Sequence, residues 1–149
     1  MSGRTLAVIL TLLLTLATLG QTVRWRNRMA ASRLLAQVEA LSVAAVSSRQ
    51  APPGMMAANL MALRRAAALD PVEVGIPIAR GTQYLLLLRP DPAIQAYEEA
   101  LALEPRSEGY LNLGRAQWLA GRTDEARRNF AVAVRLDPWL TPMVPPGGL

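Results

Sequence analysis

The first apolar stretch of the chain runs without a charge from Thr5 to Val23, between Arg4 and Arg24. As a helix it would be about 28 Å long at 1.5 Å per residue, which is close to the hydrocarbon thickness of a bilayer. A cleaved signal peptide is the alternative. However, Thr18-Leu19-Gly20 is not the A-x-A pattern that cleavage prefers. The pattern therefore predicts a retained transmembrane anchor over residues 1–23.

The next apolar positions recur at helical spacing. Leu34, Val38, Leu41 and Ala45 form one stripe between Ala30 and Ser48. No Gly or Pro lies between Gln21 and Ala51, so the anchor can continue as one long helix. The sequence APPG at 51–54 ends this pattern, because two prolines cannot extend a helix. We therefore expect a juxtamembrane and linker helix over residues 24–50.

Four residues directly after the apolar run predict a membrane interface: Arg24, Trp25, Arg26 and Arg28. An indole ring favours the headgroup level, and guanidinium groups attract anionic lipid. Together with Arg33, these arginines outnumber the single Arg4 on the other side of the span. The positive-inside rule then places residues 24–149 in the cytoplasm, with the periplasm as the alternative. We expect a single-pass protein of the bacterial inner membrane.

The remaining apolar pattern repeats along the chain. Segments ending AAALDP, LALEP and VRLDP finish at Pro71, Pro105 and Pro138, with spacings of 34 and 33 residues. Within the last two segments, small and aromatic residues also recur 33 residues apart. These pairs are Gly81 with Gly114, Ala93 with Ala126, Tyr97 with Phe130, and Ala100 with Ala133. A fixed period of this length is typical of a stack of helical hairpins.

This pattern resembles the tetratricopeptide repeat (TPR). The third copy, about 107–137, carries most of the residues that the family favours. These are Tyr110, Leu113, Gly114, Gly121, Ala126, Phe130, Ala133 and Pro138. The second copy, about 74–104, is recognisable, and the first, about 40–70, is degenerate. The resemblance implies an all-α fold: a transmembrane helix, a linker helix, a short TPR solenoid over 40–138, and an extended Pro/Gly-rich tail over 139–149.

The family is a binding scaffold, so the resemblance implies a concave groove lined by the first helix of each copy. We expect this groove to include Ile78, Thr82, Leu85, Leu86, Leu111, Arg115, Trp118 and Leu119. The chaperone-tail clamp of some family members needs lysines, and this chain has none. In the tail, Trp139, Leu140, Met143 and Val144 are apolar among prolines and glycines. We expect them to dock on a partner protein rather than to cap the last helix.

The amino-acid composition excludes most kinds of catalytic and metal site. The chain has no Cys and no His, and all 16 basic residues are Arg. A thiolate nucleophile, a zinc site and a lysine Schiff base are therefore impossible, and the acids show no cation-loop spacing. We expect no enzyme activity, no catalytic, cofactor or metal site, and no small-molecule substrate.

The net charge of +5 lies in the N-terminal half, which carries +6 over residues 1–70 against −1 over 71–149. This places the basic residues beside the membrane and argues against nucleic-acid binding. Two functions remain open. One is a membrane-anchored scaffold that serves as an accessory subunit of a larger membrane complex. The other is a transient adaptor or assembly factor that captures peptide segments of its partners.

Overall fold

The computed structural model describes residues 3–48, 52 and 54–149. Its helices are α1 (Gly3–Ser48), α2 (Met55–Leu69), α3 (Gly75–Leu86), α4 (Pro90–Leu103), α5 (Ser107–Leu119) and α6 (Thr123–Leu136), followed by a 3-10 helix (Pro138–Met143). Consecutive helices pack as antiparallel hairpins, α1 with α2, α3 with α4, and α5 with α6. The described residues form no β-strand.

Helix α1 is one continuous helix of 46 residues, about 69 Å long at 1.5 Å per residue. Residues 7–19 of its apolar half are exposed, whereas Ala31 and Val38 are fully buried against Leu63 and Ala66 of α2. The first hairpin therefore starts inside the segment expected to be a linker, about nine residues before position 40. Of the predicted APPG terminator, residues 51 and 53 lie outside the described residues. Gly54 precedes α2 in the left-handed region at φ 78°.

Two glycines allow the later hairpins to pack closely. A β-carbon on Gly81 would lie 2.7 Å from the ring of Tyr97, and one on Gly114 would lie 2.6 Å from Phe130 Cε1. Both rings are buried completely. Each Gly–aromatic pair that repeats in the sequence therefore lies where two helices cross closely: α3 with α4, and α5 with α6.

A buried polar bridge joins the first hairpin to the second. Gln83 Nε2 donates to Ser42 Oγ at 2.8 Å, and Asn59 Nδ2 donates to Gln83 Oε1 at 3.1 Å. Ser42 Oγ in turn donates to the carbonyl of Val38 at 2.7 Å. Because buried amides are costly without partners, these bonds fix how α1, α2 and α3 fit together.

The tail folds back on the last hairpin. Asp137 Oδ1 accepts a hydrogen bond from the backbone N–H of Trp139 at 3.0 Å, which starts the 3-10 helix. Leu140 is 7% exposed and packs with Leu111 and Phe130, and Gly148 is buried as well. A segment that the sequence predicts as extended therefore covers the end of the solenoid.

Candidate protein-binding surface

The first helix of each hairpin contributes to one face of the solenoid, which carries two clefts. The first cleft, about 200 Å³, lies between α1 and α3. The second cleft, about 370 Å³, lies between α3, α5 and the tail. Side chains lining the first cleft include Val38, Ser42, Val43, Ile78 and Thr82. The second is lined by Leu85, Arg115, Trp118, Leu119, Met143 and Pro145.

Six of the eight predicted groove residues line these clefts: Ile78, Thr82, Leu85, Arg115, Trp118 and Leu119. Leu86 is exposed but lines neither cleft. Leu111 is only 3% exposed and lies in the core with Phe130 and Leu140. Its placement in the groove was wrong, because the folded tail covers the surface on which Leu111 lies.

Arg115 is held by the protein itself. Its guanidinium donates to the carbonyl of Met143 at 3.0 Å and to Asn112 Oδ1 at 3.5 Å. The side chain therefore forms part of the wall between α5 and the tail. A ligand in the second cleft meets a guanidinium whose direction is already set.

Trp118 has two roles. Its ring lies 6.3 Å from that of Phe130, with a 50° angle between the planes, and it packs against the last core cluster. The same residue lines the second cleft. Truncation of Trp118 should therefore lower stability, so its effect on partner binding cannot be separated from unfolding. Leu119, 47% exposed in the same cleft, is the cleaner probe of binding.

Thr82, which lines the first cleft, lies beside the buried Tyr97. Thr82 Oγ1 lies 3.2 Å from the hydroxyl of Tyr97 and 3.1 Å from the carbonyl of Ile78. Burial raises the pKa of the Tyr97 phenol above its ordinary 10.0, against the smaller lowering effects of Thr82 and Arg115. Tyr97 therefore stays neutral at physiological pH.

The four predicted docking residues of the tail do not share one environment. Trp139 is 89% exposed and Met143 is also exposed, whereas Leu140 is buried and Val144 packs on the last core cluster. The expectation that all four are available to a partner is corrected for Leu140 and Val144. The reason is that the 3-10 helix directly after α6 lies against the apolar end of this hairpin and covers it.

The predicted membrane-interface residues follow the apolar part of α1 directly. Arg24, Trp25 and Arg26 are exposed. Arg28 Nε lies 3.6 Å from Asp70 Oδ2, and that carboxylate is mostly buried. The structure thus links the juxtamembrane segment to the C-terminal end of α2.

Sequence reasoning missed the cleft residues outside the last two copies. Ser42 and Val43 lie within the degenerate first copy and Val38 lies just before it, but none of the three was predicted as a groove residue. Met143 and Pro145 were assigned to a free tail. Across residues 3–48, 52 and 54–149, no group of three or more Asp, Glu, His or Cys side chains is placed to hold a metal ion.

Comparison with solved structures agrees with this geometry. The second TPR domain of Spaghetti (RPAP3), solved with an HSP90 peptide, matches with TM-score 0.65 at 18% identity, over 75% of this chain and 96% of that one. A TPR protein of Thermus thermophilus matches with TM-score 0.65 at 28% identity, over 80% and 62% of the two chains. The Arabidopsis OM64 TPR domain matches with TM-score 0.65 at 20% identity, over 76% and 87%.

The fold is therefore a helical-repeat solenoid built from antiparallel hairpins. It is the tetratricopeptide-repeat fold, and the resemblance predicted from the sequence is confirmed. By sequence alone, no family profile and no curated protein matches the chain.

Proposed function

We propose that this protein is a non-catalytic, membrane-anchored scaffold that holds partner proteins of a larger membrane complex as an accessory subunit. The main support for this proposal is that α1 contributes to both the membrane anchor and the repeat domain. One helix supplies both an apolar stretch that is exposed over residues 7–19 and the first helix of the repeat domain. A binding domain of this design is attached to the membrane without a flexible linker.

The apolar half of α1 supports the membrane part of the proposal. It is the one helix of the described residues that is long and apolar enough to cross a bilayer. Leu13, Leu16 and Leu19 are among its exposed side chains. The hydroxyls of Thr11 and Thr22 donate to carbonyls one turn earlier, at 2.9 Å each, so they add no unpaired group to the span. An exposed apolar surface of this length would not remain in water.

The two clefts support the binding part. They lie on the face where repeat solenoids bind extended partners, and their walls are largely apolar. The Spaghetti domain holds a peptide of HSP90. The chain lacks the lysines of the chaperone-tail clamp, so we propose a partner segment with apolar side chains instead. We propose no small-molecule substrate and no nucleic acid.

The alternative is a transient adaptor or assembly factor. The volumes of the clefts favour it, because each has room for only a few side chains of a short peptide. Purification from native membranes in mild detergent distinguishes the two functions. A companion protein in fixed stoichiometry supports the accessory subunit, and substoichiometric companions support the adaptor. Recovery of the chain with no protein companion would contradict both.

A matched pair of variants shows whether the clefts bind the companion. Leu119→Glu places a charge in the second cleft, whereas Leu103→Glu places one at a similarly exposed position outside both clefts. We expect Leu119→Glu alone to release the companion at unchanged melting temperature. Equal release by both variants would contradict a role for the second cleft.

The location is also a proposal: the bacterial inner membrane, with the repeat domain in the cytoplasm by the positive-inside rule. Protease added to intact spheroplasts should then leave residues 24–149 uncut. Digestion of this region would place it in the periplasm.

A further inference from the structure

A third cleft, of about 350 Å³, lies where the apolar half of α1 gives way to the repeat domain. Its lining includes Arg26, Met29, Ala30 and Arg33 on one face of α1, with Trp25 at one edge and Leu69 of α2 opposite. Positions 26, 29, 30 and 33 share a face because they lie three, four and seven residues apart. We call this feature the headgroup cleft.

The two arginines of the headgroup cleft have no acidic partner. Among the described residues, the ion pairs of the juxtamembrane segment include Arg28 with Asp70, but none involves Arg26 or Arg33. Asp70, the nearest acid in the chain to Leu69, is already neutralised by Arg28 at 3.6 Å. The cleft therefore has a net positive charge and two guanidinium groups free to bind an anion.

The position of the cleft relative to the membrane follows from where its arginines lie along α1. Arg26 lies three residues past Val23 and Arg33 ten residues past it, about 4.5 and 15 Å along the axis. Side chains of a helix tilt toward its N-terminus, which for α1 is the apolar end, so Arg33 leans back toward the same level. The headgroup layer is about 5–8 Å thick on each side of a bilayer. The cleft opens at this layer when the apolar half of α1 spans the membrane.

The opposite wall of the cleft is fixed. Leu69 packs on the buried cluster that contains Leu63 and Ala66. The Arg28–Asp70 contact then holds the end of α2 against α1. The two sides of the cleft therefore belong to helices that pack against each other.

We propose that the headgroup cleft binds the phosphate of an anionic phospholipid. Guanidinium groups bind phosphate through paired N–H···O hydrogen bonds, and an indole ring favours the headgroup level. The proposal rests on the membrane anchor of the proposed function. It assigns Arg26 and Arg33 to one lipid site, distinct from the diffuse attraction that Arg24 exerts.

The test uses the full chain reconstituted into phosphatidylcholine vesicles that contain spin-labelled phosphatidylglycerol or spin-labelled phosphatidylcholine. Electron spin resonance then gives the preference of the protein for the anionic lipid. Measurement in 1 M salt removes diffuse attraction, because the Debye length falls to about 3 Å. We expect the wild type to keep its preference. Arg26→Gln and Arg33→Gln should each lower it about tenfold, because each removes a charge-assisted hydrogen bond to the phosphate that 1 M salt does not screen fully.

Two further variants separate the site from charge alone. Arg24→Gln removes an equal charge near the same level but outside the cleft, and it should change the preference less than about twofold in this salt. Ala30→Leu fills the cleft without changing any charge, and it should abolish the preference. An equal effect of Arg24→Gln and Arg26→Gln, or no effect of Ala30→Leu, would overturn the proposal.

Failure of the lipid site can be told apart from failure of the anchor. Flotation of the chain with vesicles after a carbonate wash tests the anchor before any lipid preference is measured. A chain that does not float contradicts the proposed function and the lipid site together. A chain that floats without lipid preference contradicts the lipid site alone. Displacement of the labelled lipid by millimolar glycerol phosphate would indicate a water-soluble phosphate ligand and contradict the lipid assignment.

Discussion

Truncation of Leu140 to alanine is the sharpest test of the folded tail. The side chain is 7% exposed and packs with Leu111, Phe130 and Ala133 at the end of the solenoid. Removing its three outer carbons costs about 2–3 kcal/mol, at about 0.8 kcal/mol per buried group plus a small cavity term. We take the low end of measured leucine truncations because a short terminal helix can settle into the space.

The assay is thermal unfolding of the full chain in detergent, followed by circular dichroism. For a domain of this size, 1 kcal/mol shifts the melting temperature by about 4 °C, so we expect a decrease of about 8–12 °C. Trp139→Ala is the matched control, since this neighbouring ring is 89% exposed. It should change stability by no more than about 0.5 kcal/mol.

The opposite result would refute the folded tail. If Leu140→Ala melts like the wild type, the tail does not cover the last hairpin, and the partner-docking role expected from the sequence regains support. If Trp139→Ala destabilises more than Leu140→Ala, the orientation of the 3-10 helix is wrong. Deletion of residues 139–149 should likewise lower the melting temperature, in contrast to the small effect that the sequence predicts for a partner-binding strap.

Three further predictions concern the repeats. Gly114→Ala should lower the free energy of unfolding by about 1–3 kcal/mol more than Gly109→Ala in denaturant unfolding. A β-carbon at position 114 would meet the ring of Phe130 and a backbone carbonyl, whereas one at position 109 would meet only a leucine side chain, which can move. Leu88 occupies the left-handed region at φ 54° and is 75% exposed. Leu88→Gly should therefore raise the free energy of unfolding by about 1 kcal/mol. A decrease would mean that the leucine side chain stabilises the fold. The raised pKa of Tyr97 predicts a stability that falls as the pH rises through 10.0, since only the unfolded chain releases the proton there. Tyr97→Phe should flatten this alkaline slope, and an unchanged slope would assign it to other groups.

The repeat architecture could be predicted because small and aromatic residues at fixed spacing mark close helix crossings. The sequence pairs each glycine with an aromatic residue at the same spacing, and the structure shows the same pairs in contact: Gly81 with Tyr97, and Gly114 with Phe130. The apolar stretch at the N-terminus could also be predicted, because length and hydropathy alone define it. These features depend on residues that lie close in the chain or recur at one period.

Features that depend on distant parts of the chain could not be predicted in this way. The bridge from Ser42 through Gln83 to Asn59 joins three helices whose relative register no local pattern fixes. Leu111 shares the helical face of a groove residue, but the tail buries it. Prolines and glycines in the tail disfavour an α-helix without excluding the short 3-10 helix that the structure contains.

The turn after the first helix of each hairpin carries a local signal in the sequence. Leu88 lies 33 residues before Gly121, and both occupy the left-handed region after the first helix of their hairpin. A glycine in one copy marks a position where its counterpart also needs a positive φ. The repeat period therefore identifies the strained leucine from the sequence.

Site-specific photo-cross-linking in native membranes tests the binding scaffold most directly. A photoreactive amino acid at Leu119 lies in the second cleft, whereas one at Gln95 lies exposed on α4, outside both clefts. We expect a discrete protein adduct from position 119 and none from position 95. Adducts of equal yield from both positions, or none from position 119, would contradict the assignment of this face as the partner-binding surface.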